Sequence, residues 1–552
     1  MEQAFTGSLF AAEALLSWAR PGAAPCLTGA RRGLEWGTVA PGGGAIPGPT
    51  IGLLPLDDRP CNRAFPIAVA RAAGAEVVGP PQELLGRFTR PGECEALGAW
   101  LRGCPAERLV VSLDMLCYGG LVAARSPAVS GQEAQGRLDA LRELRRERPD
   151  CVVFGFSTIM RLGTTVECEA ALVRHERLRL YSELVDRVER MGEERARPEL
   201  EAVVRQLGEA ELRSYLEVRR RCHAINRAAI GLLAEGVLDY LVLAQEDAGP
   251  AGLHVAEQVA LRDQAREFRV ADRVAVHPGA DEVGVVLVAR HLAAEAGCAP
   301  AMAVDYARAE GAEAIARYEN GALSATVQGQ MRAAGARPAA PGDAEAVLFV
   351  HTPIGPQQEA AEAPEPGHSP ALALQAESLA ERVEAAGEAG RLVGLADAAY
   401  ANGADPELLA ALGRAGAARR LSAYAGWNTA GNTVGTVVGH LCALAAARAA
   451  GWERDQAATE RFLVERFVDD YGYQTRVRPR ALEQARARGA DPFALGEHAG
   501  ELERWVRDEL EPLAHELHSN LVARPGGPSL RRLAVSLPWA RLFEVELGVE
   551  LA

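Results

Sequence analysis

Short apolar runs recur along the chain, each followed by a polar or Gly/Pro-rich corner and then by a segment of helical spacing. IGLLPL (51–56), AEVVGP (75–80), RLVVSL (108–113), CVVFGF (151–156), YLVLAQ (240–245) and VAVH (274–277) form a first series. AMAVDY (301–306), AVLFVHT (346–352), RLVGLAD (391–397) and RLSAYAG (420–426) form a second. Alternation of this kind predicts β-α units and a parallel sheet. Roughly ten strand candidates exceed the eight of one closed barrel, so two doubly wound lobes are favoured over a TIM-like barrel with additions.

Other patterns set the boundaries. Residues 1–49 are rich in Gly, Pro and Ala towards their end and read as a flexible lead-in. The first α/β lobe, taken as the catalytic one, is expected over 50–296, interrupted by a charged helical insertion at 164–236 in which RHERLRLYSELVDRVERM is the clearest amphipathic piece. A second α/β lobe follows over 297–450, with a Gln/Glu/Pro-rich and mobile loop at 354–370. A mainly helical region closes the chain over 451–552, ending in a strand-like WARLFEVELGVEL.

With 552 residues, 48% hydrophobic and 24% charged, the composition is that of a globular protein of more than one domain. A formal net charge of −15 opposes binding to nucleic acid or to anionic membrane surfaces. Ten cysteines without a CxxC pair read as reduced thiols in a cytoplasmic protein. The N-terminus lacks the basic stretch of a signal peptide, and no apolar run approaches the ~20 residues of a membrane span.

In parallel α/β architectures ligands bind beyond the carboxyl ends of the strands, so the residues directly after each apolar run are the candidates. They include Asp57, Asp58 and Arg59; Asp114, Tyr118 and Arg125; Arg161; Glu246 and Asp247; His277, Asp281 and Glu282; and, in the second series, Asp397, Asn402, Trp427, Asn428 and Asn432. Single members of this set also serve as helix caps or turn residues. Pairs carry more weight. Asp57-Asp58-Arg59 offers either a hydroxyl clamp or a structural ion pair. Glu246-Asp247 offers neighbouring carboxylates whose proton affinities are driven apart, the arrangement of a general acid beside an ionised partner. Asp281-Glu282 also suits a helix N-terminus, and Trp427 suits stacking on a sugar ring. No P-loop, no GxGxxG after a strand and no nucleophile elbow is present.

The strings LPLDDRPCN, SLDMLCYGGLVAAR, FSTIMR, QEDAGPAGLH, GADEVG and GWNTAGNTVG together resemble the bacterial family catalogued as domain of unknown function 4127, over most of the chain from Ile51. That resemblance implies no assigned activity. The adjacent acids are also similar in pattern to those of hexosaminidases that use the substrate's own acetamido group. The sequence thus favours a hydrolase of a small carbohydrate, such as an amino sugar glycoside. Glu246 and Asp247 are its expected catalytic acids, and Asp57, Asp58, Arg59, Asp114, Tyr118, Arg161, His277, Asp281, Glu282, Asp397, Trp427, Asn428 and Asn432 are expected to bind substrate. It calls for no cofactor. One alternative is a hydrolase or isomerase in which Asp57, Asp114, Asp247 and His277 hold a divalent ion; another is a non-catalytic sugar-binding protein. Oligomeric state is left open.

Overall fold

The computed structural model describes residues 47–363 and 369–552. Of the expected lead-in, residues 1–46 lie outside the described residues, as do 364–368 of the expected mobile loop.

Two parallel sheets form the framework. The first contains β1 (Thr50–Leu54), β2 (Glu76–Val78), β3 (Arg108–Ser112), β4 (Val152–Ile159), β5 (Tyr240–Gln245) and β6 (Val274–Pro278), in the order β2-β1-β3-β4-β5-β6. The second contains β7 (Ala301–Tyr306), β8 (Arg337–Pro338), β9 (Ala346–His351), β10 (Leu392–Asp397) and β11 (Ala423–Ala425), in the order β11-β10-β9-β7-β8. In both sheets the second strand is an edge strand beside the first, and the chain then crosses to the first strand's other side. The order therefore reverses next to β1 and next to β7, the arrangement of doubly wound sheets whose ligands collect at that switch point. The fold is thus α/β with two open sheets, and the barrel alternative does not apply.

The strands are near-continuous Val/Leu/Ala runs because helices cover both faces. The seam between lobes is a helix pair, Val283–Glu295 against Ala430–Ala450. Val285, Val286, Val434, Val437 and Leu441 are fully buried there, in one cluster that also takes in Val69 of the helix Pro60–Ala72. Each such side chain contributes about 1.5–3 kcal/mol. Glycines permit the close approach: a Cβ on Gly439 would lie 2.7 Å from a Val285 methyl, and one on Gly435 would lie 2.2 Å from Glu282. Ala430–Ala450 is also the one described helix long and apolar enough to cross a bilayer, which corrects the sequence expectation; 83% of its apolar window is buried in this core.

The insertion forms three helices, Leu172–Glu189, Arg197–Leu207 and Glu209–Ala234. The last packs against the first sheet, with Ile225, Ala229 and Leu233 in the same cluster as Leu241 and Leu243 of β5. The C-terminal region is helical, as expected, but ends in an antiparallel hairpin, β12 (Leu530–Ser536) with β13 (Glu546–Leu551), rather than in a single strand. A register shift between Leu530 and Arg532 spoils the alternation by which β12 would announce itself. The turn of this hairpin, residues 537–545, reaches back to the seam.

Candidate active site

The corner after β1 is built around Arg59. Its guanidinium takes Asp57 at 2.7 and 3.0 Å and Asp281, which follows β6, at 2.6 and 3.1 Å. Asn62 donates to both carboxylates, at 2.8 and 3.2 Å. The second lobe joins in: Asn428 donates to Asp281 at 2.9 Å, and the Asn432 side-chain oxygen accepts from the backbone N–H groups of Ala280 and Asp281. All three charged side chains are over nine-tenths buried. A buried guanidinium that fills two carboxylates this fully is a rigid linchpin. Asp58 turns away and accepts from the Trp539 indole at 2.6 Å, with burial raising its proton affinity.

A cavity of about 290 Å³ opens between the lobes beside this unit. Arg59 and Asp281 form one wall. Glu246 and Asp247, carried past the end of β5, form another with Arg125 and Arg161. Arg125 is hydrogen-bonded and ion-paired with one oxygen of Glu246 and donates to the Thr165 hydroxyl at 3.1 Å. Arg161 is ion-paired with Asp247 and lies 3.7 Å from the same Glu246 oxygen. The other Glu246 oxygen is buried and has no hydrogen-bond partner among the described residues. Burial and the neighbouring Arg125 and Arg541 charges press on Arg161, whose pKa falls to about 10 although Glu246 opposes this. Trp539 and Phe543 from the hairpin turn supply ring faces, and Arg541 lies 4.5 Å over Trp539 while pairing with Glu544 at 2.8 Å.

Backbone strain gathers here as well. Seven described non-glycine residues have positive φ, and Tyr318 (67°), Asn402 (58°), Asn428 (68°) and Trp539 (58°) all line this cavity. Such conformations cost of order 1–3 kcal/mol each and persist where surrounding contacts enforce them, characteristically at ligand sites. Glu359, in the described part of the 354–370 loop, accepts from Tyr318 and Asn402 and so holds two of the four.

Of the residues singled out in the sequence, Arg59, Arg161, Glu246, Asp247, Asp281, Asn428 and Asn432 line the cavity, and Asp57 and Asp58 stand directly behind it. Six others do not reach it. Asp114 is buried and accepts from the Thr158 backbone and hydroxyl at 2.8 and 2.7 Å; burial raises its pKa to about 6. Tyr118 is buried with the Arg221 guanidinium 4.6 Å over its ring. His277 bonds to the Pro278 carbonyl at 3.0 Å and packs against the helix Leu323–Ala334 at Gly329; burial lowers its pKa to about 4. Glu282 accepts from Gln330 and from the Ala280 N–H, and burial raises its pKa to about 8. Asp397 is fully buried in the second lobe, accepting from the Asp405 N–H at 2.7 Å. Trp427 packs near Phe543 and borders a void of about 10 Å³, the size of one water, so the ring face offered to a ligand is that of Trp539 instead.

The metal quartet of the alternative reading does not assemble. Asp57 is committed to Arg59, Asp114 to Thr158, Asp247 to Arg161 and His277 to a carbonyl; among the described residues no three His, Cys, Asp or Glu side chains are grouped to hold an ion. Sequence reading passed over Trp539, Arg541, Phe543, Tyr318 and His175 of the insertion, and named Arg125 and Asn402 without selecting them. The string LPWARLF was the available signal, since two aromatics and an arginine between polar strands are unusual for a surface turn.

A family model described as "Protein of unknown function (DUF4127)" matches residues 51–548. The chain belongs to this family. The match covers both sheets and ends within β13, so the hairpin turn that carries Trp539 and Arg541 is included. No curated protein and no solved structure matches the chain.

Proposed function

We propose that the protein is a hydrolase of a small carbohydrate, an amino sugar glycoside being the class that suits it best, with the interlobe cavity as its active site. The observation that carries this reading is Glu246: a carboxylate about nine-tenths buried on the cavity wall, one oxygen fixed by Arg125 and the other without a partner. An unsatisfied buried carboxylate oxygen costs about 1–3 kcal/mol or more, and a substrate N–H or O–H removes that cost.

The remaining lining suits a neutral, hydroxyl-rich molecule. Four arginines face four acids (Glu176, Glu246, Asp247 and Asp281) among asparagine amides and aromatic faces, so hydrogen-bond donors and acceptors alternate without excess charge. The arginine pairing adjusts the expected roles: with one oxygen held by a guanidinium, the carboxylate offers its other oxygen as a hydrogen-bond acceptor. Glu246 therefore orients and polarises an N–H or O–H of the substrate, as an acetamido-assisted reaction requires, and Asp247 positions Arg161 beside it. The nine described cysteines are free thiols, which supports a cytoplasmic setting.

A sugar-binding protein without turnover is the second reading, favoured by the same neutralisation of both acids by arginines. A panel of chromogenic glycosides, including N-acetylated amino sugars, separates the two. Product release by the wild type and at least ~100-fold less by Glu246→Gln, with unchanged melting temperature, is expected; ligand-induced thermal stabilisation without product would establish the second reading.

A further inference from the structure

At the opposite, amino-terminal end of the second sheet lies a basin of about 540 Å³, bordered by the starts of β10 and β11. Six arginines line it: Arg391, Arg419, Arg420, Arg448, Arg454 and Arg524. Only one acid, Glu384, accompanies them. Such a concentration is unexpected in a chain with a net charge of −15.

Part of this charge has a structural partner. Arg420 pairs with Glu384 at 2.7 Å and Glu388 at 3.6 Å; Arg419 donates to the Ala523 carbonyl and Arg524 to the Arg419 carbonyl. The C-terminal ends of the helices Pro370–Glu388, Pro406–Ala415 and Ala430–Ala450 also converge here, each with a partial charge of about −0.5. Two glutamates, Glu345 near Arg448 and three helix ends supply about 4.5 negative charges against six guanidiniums, leaving a surplus of about 1.5. The surplus is local: the guanidiniums of Arg391, Arg448 and Arg454 have no hydrogen bond or ion pair among the described residues. Burial and the neighbouring Arg454 charge lower the Arg448 proton affinity, although Glu345 opposes this. The helix Gln456–Arg466 begins at the same rim, with Gln456 and Thr459 on the lining, and adds N-terminal N–H groups.

We infer that this basin is a second ligand site, for a small molecule bearing a chain of phosphoryl groups. Planar guanidinium forks match phosphoryl oxygens in pairs, and the volume admits several such groups at once. The inference is independent of the carbohydrate reading, since the two pockets lie at opposite ends of the second sheet.

Calorimetric titration of the full chain with inorganic tripolyphosphate at about 50 mM salt tests it, where exposed charges are only partly screened. Binding is expected that weakens at least about tenfold in Arg448→Gln/Arg454→Gln and is unchanged in Arg541→Gln of the interlobe cavity. A nucleoside triphosphate titrated in parallel identifies the source: tighter binding than tripolyphosphate assigns a nucleotide, equal binding an inorganic phosphate chain. No binding by the wild type, equal binding by the double variant, or loss in Arg541→Gln instead would overturn the assignment. Melting temperatures of both variants confirm that each is folded.

Discussion

In the first lobe the charged residues after β1, β4, β5 and β6 open onto a shared cavity; in the second, their counterparts after β9 and β10 close on one another. His351 bonds to Asp405 at 2.7 Å, Asp405 caps the helix that follows through the Glu407 N–H, and Asp397 accepts from the Asp405 N–H and the Tyr424 hydroxyl. His351 and Asp397 are fully buried and Asp405 is 1% exposed. Burial alone would lower the His351 proton affinity, but Asp405 and Asp397 raise it. The strand orders are equivalent, so topology does not decide the difference. Whether a strand-end acid becomes part of a site depends on what covers it: the first lobe is faced by the seam, the insertion and the hairpin turn with space between them, whereas in the second Asp405, the N-cap of the helix Pro406–Ala415, bonds directly to the last residues of β9 and β10.

The sharpest break of this contrast is in the second lobe. Asp405→Ala leaves a buried histidine without its partner and a helix without its cap, and should lower stability by about 3–5 kcal/mol in chemical denaturation while leaving the turnover of the folded fraction intact. Glu246→Gln should do the reverse, losing turnover at least ~100-fold, or about 2.7 kcal/mol in the barrier, with little change in the denaturation midpoint. If both variants lost stability alone, the distinction between an open and a self-satisfied set of acids would fall. Trp539→Ala should raise KM for the glycoside about tenfold with a smaller change in kcat, since a ring face binds ground and transition states alike.

A separate effect is expected in pH dependence. Glu282 and Glu319, both at the seam, have pKa values raised by burial to about 8 and about 7 from an ordinary 4.5. Between pH 4.5 and 8 the folded protein binds more protons than the unfolded chain, so stability is greatest at the acidic end and declines as pH rises through that window. Melting temperatures from pH 5 to 8 should show this decline, and Glu282→Gln/Glu319→Gln should flatten it; a rise with pH in the wild type would contradict the assignment.

Much of the framework was legible. All ten apolar runs of the two series are strands, because a strand covered on both faces must be a continuous hydrophobic stretch. The strands that escaped notice had no such constraint: β8 has two exposed residues, and β12 is irregular at Leu530. The site was legible only as a superset. Proximity to a strand end is a local property and picks out Glu246 and Asp397 equally, whereas facing a cavity depends on elements hundreds of residues away. Arg59 meets Asp281 across 222 positions and Asp58 meets Trp539 across 481.

The sequence by itself determined the α/β class, the division into two strand series, the helical insertion and the family. These follow from hydrophobic periodicity and from motif strings, both of which are written in neighbouring residues. Tertiary structure alone decided which charges pair, which acids are sealed and where the ring faces stand, because burial and electrostatic partnership are set by distances through space. Glu246 keeps an oxygen free in a cavity wall and Asp405 does not, and nothing in the residues flanking either one records that difference.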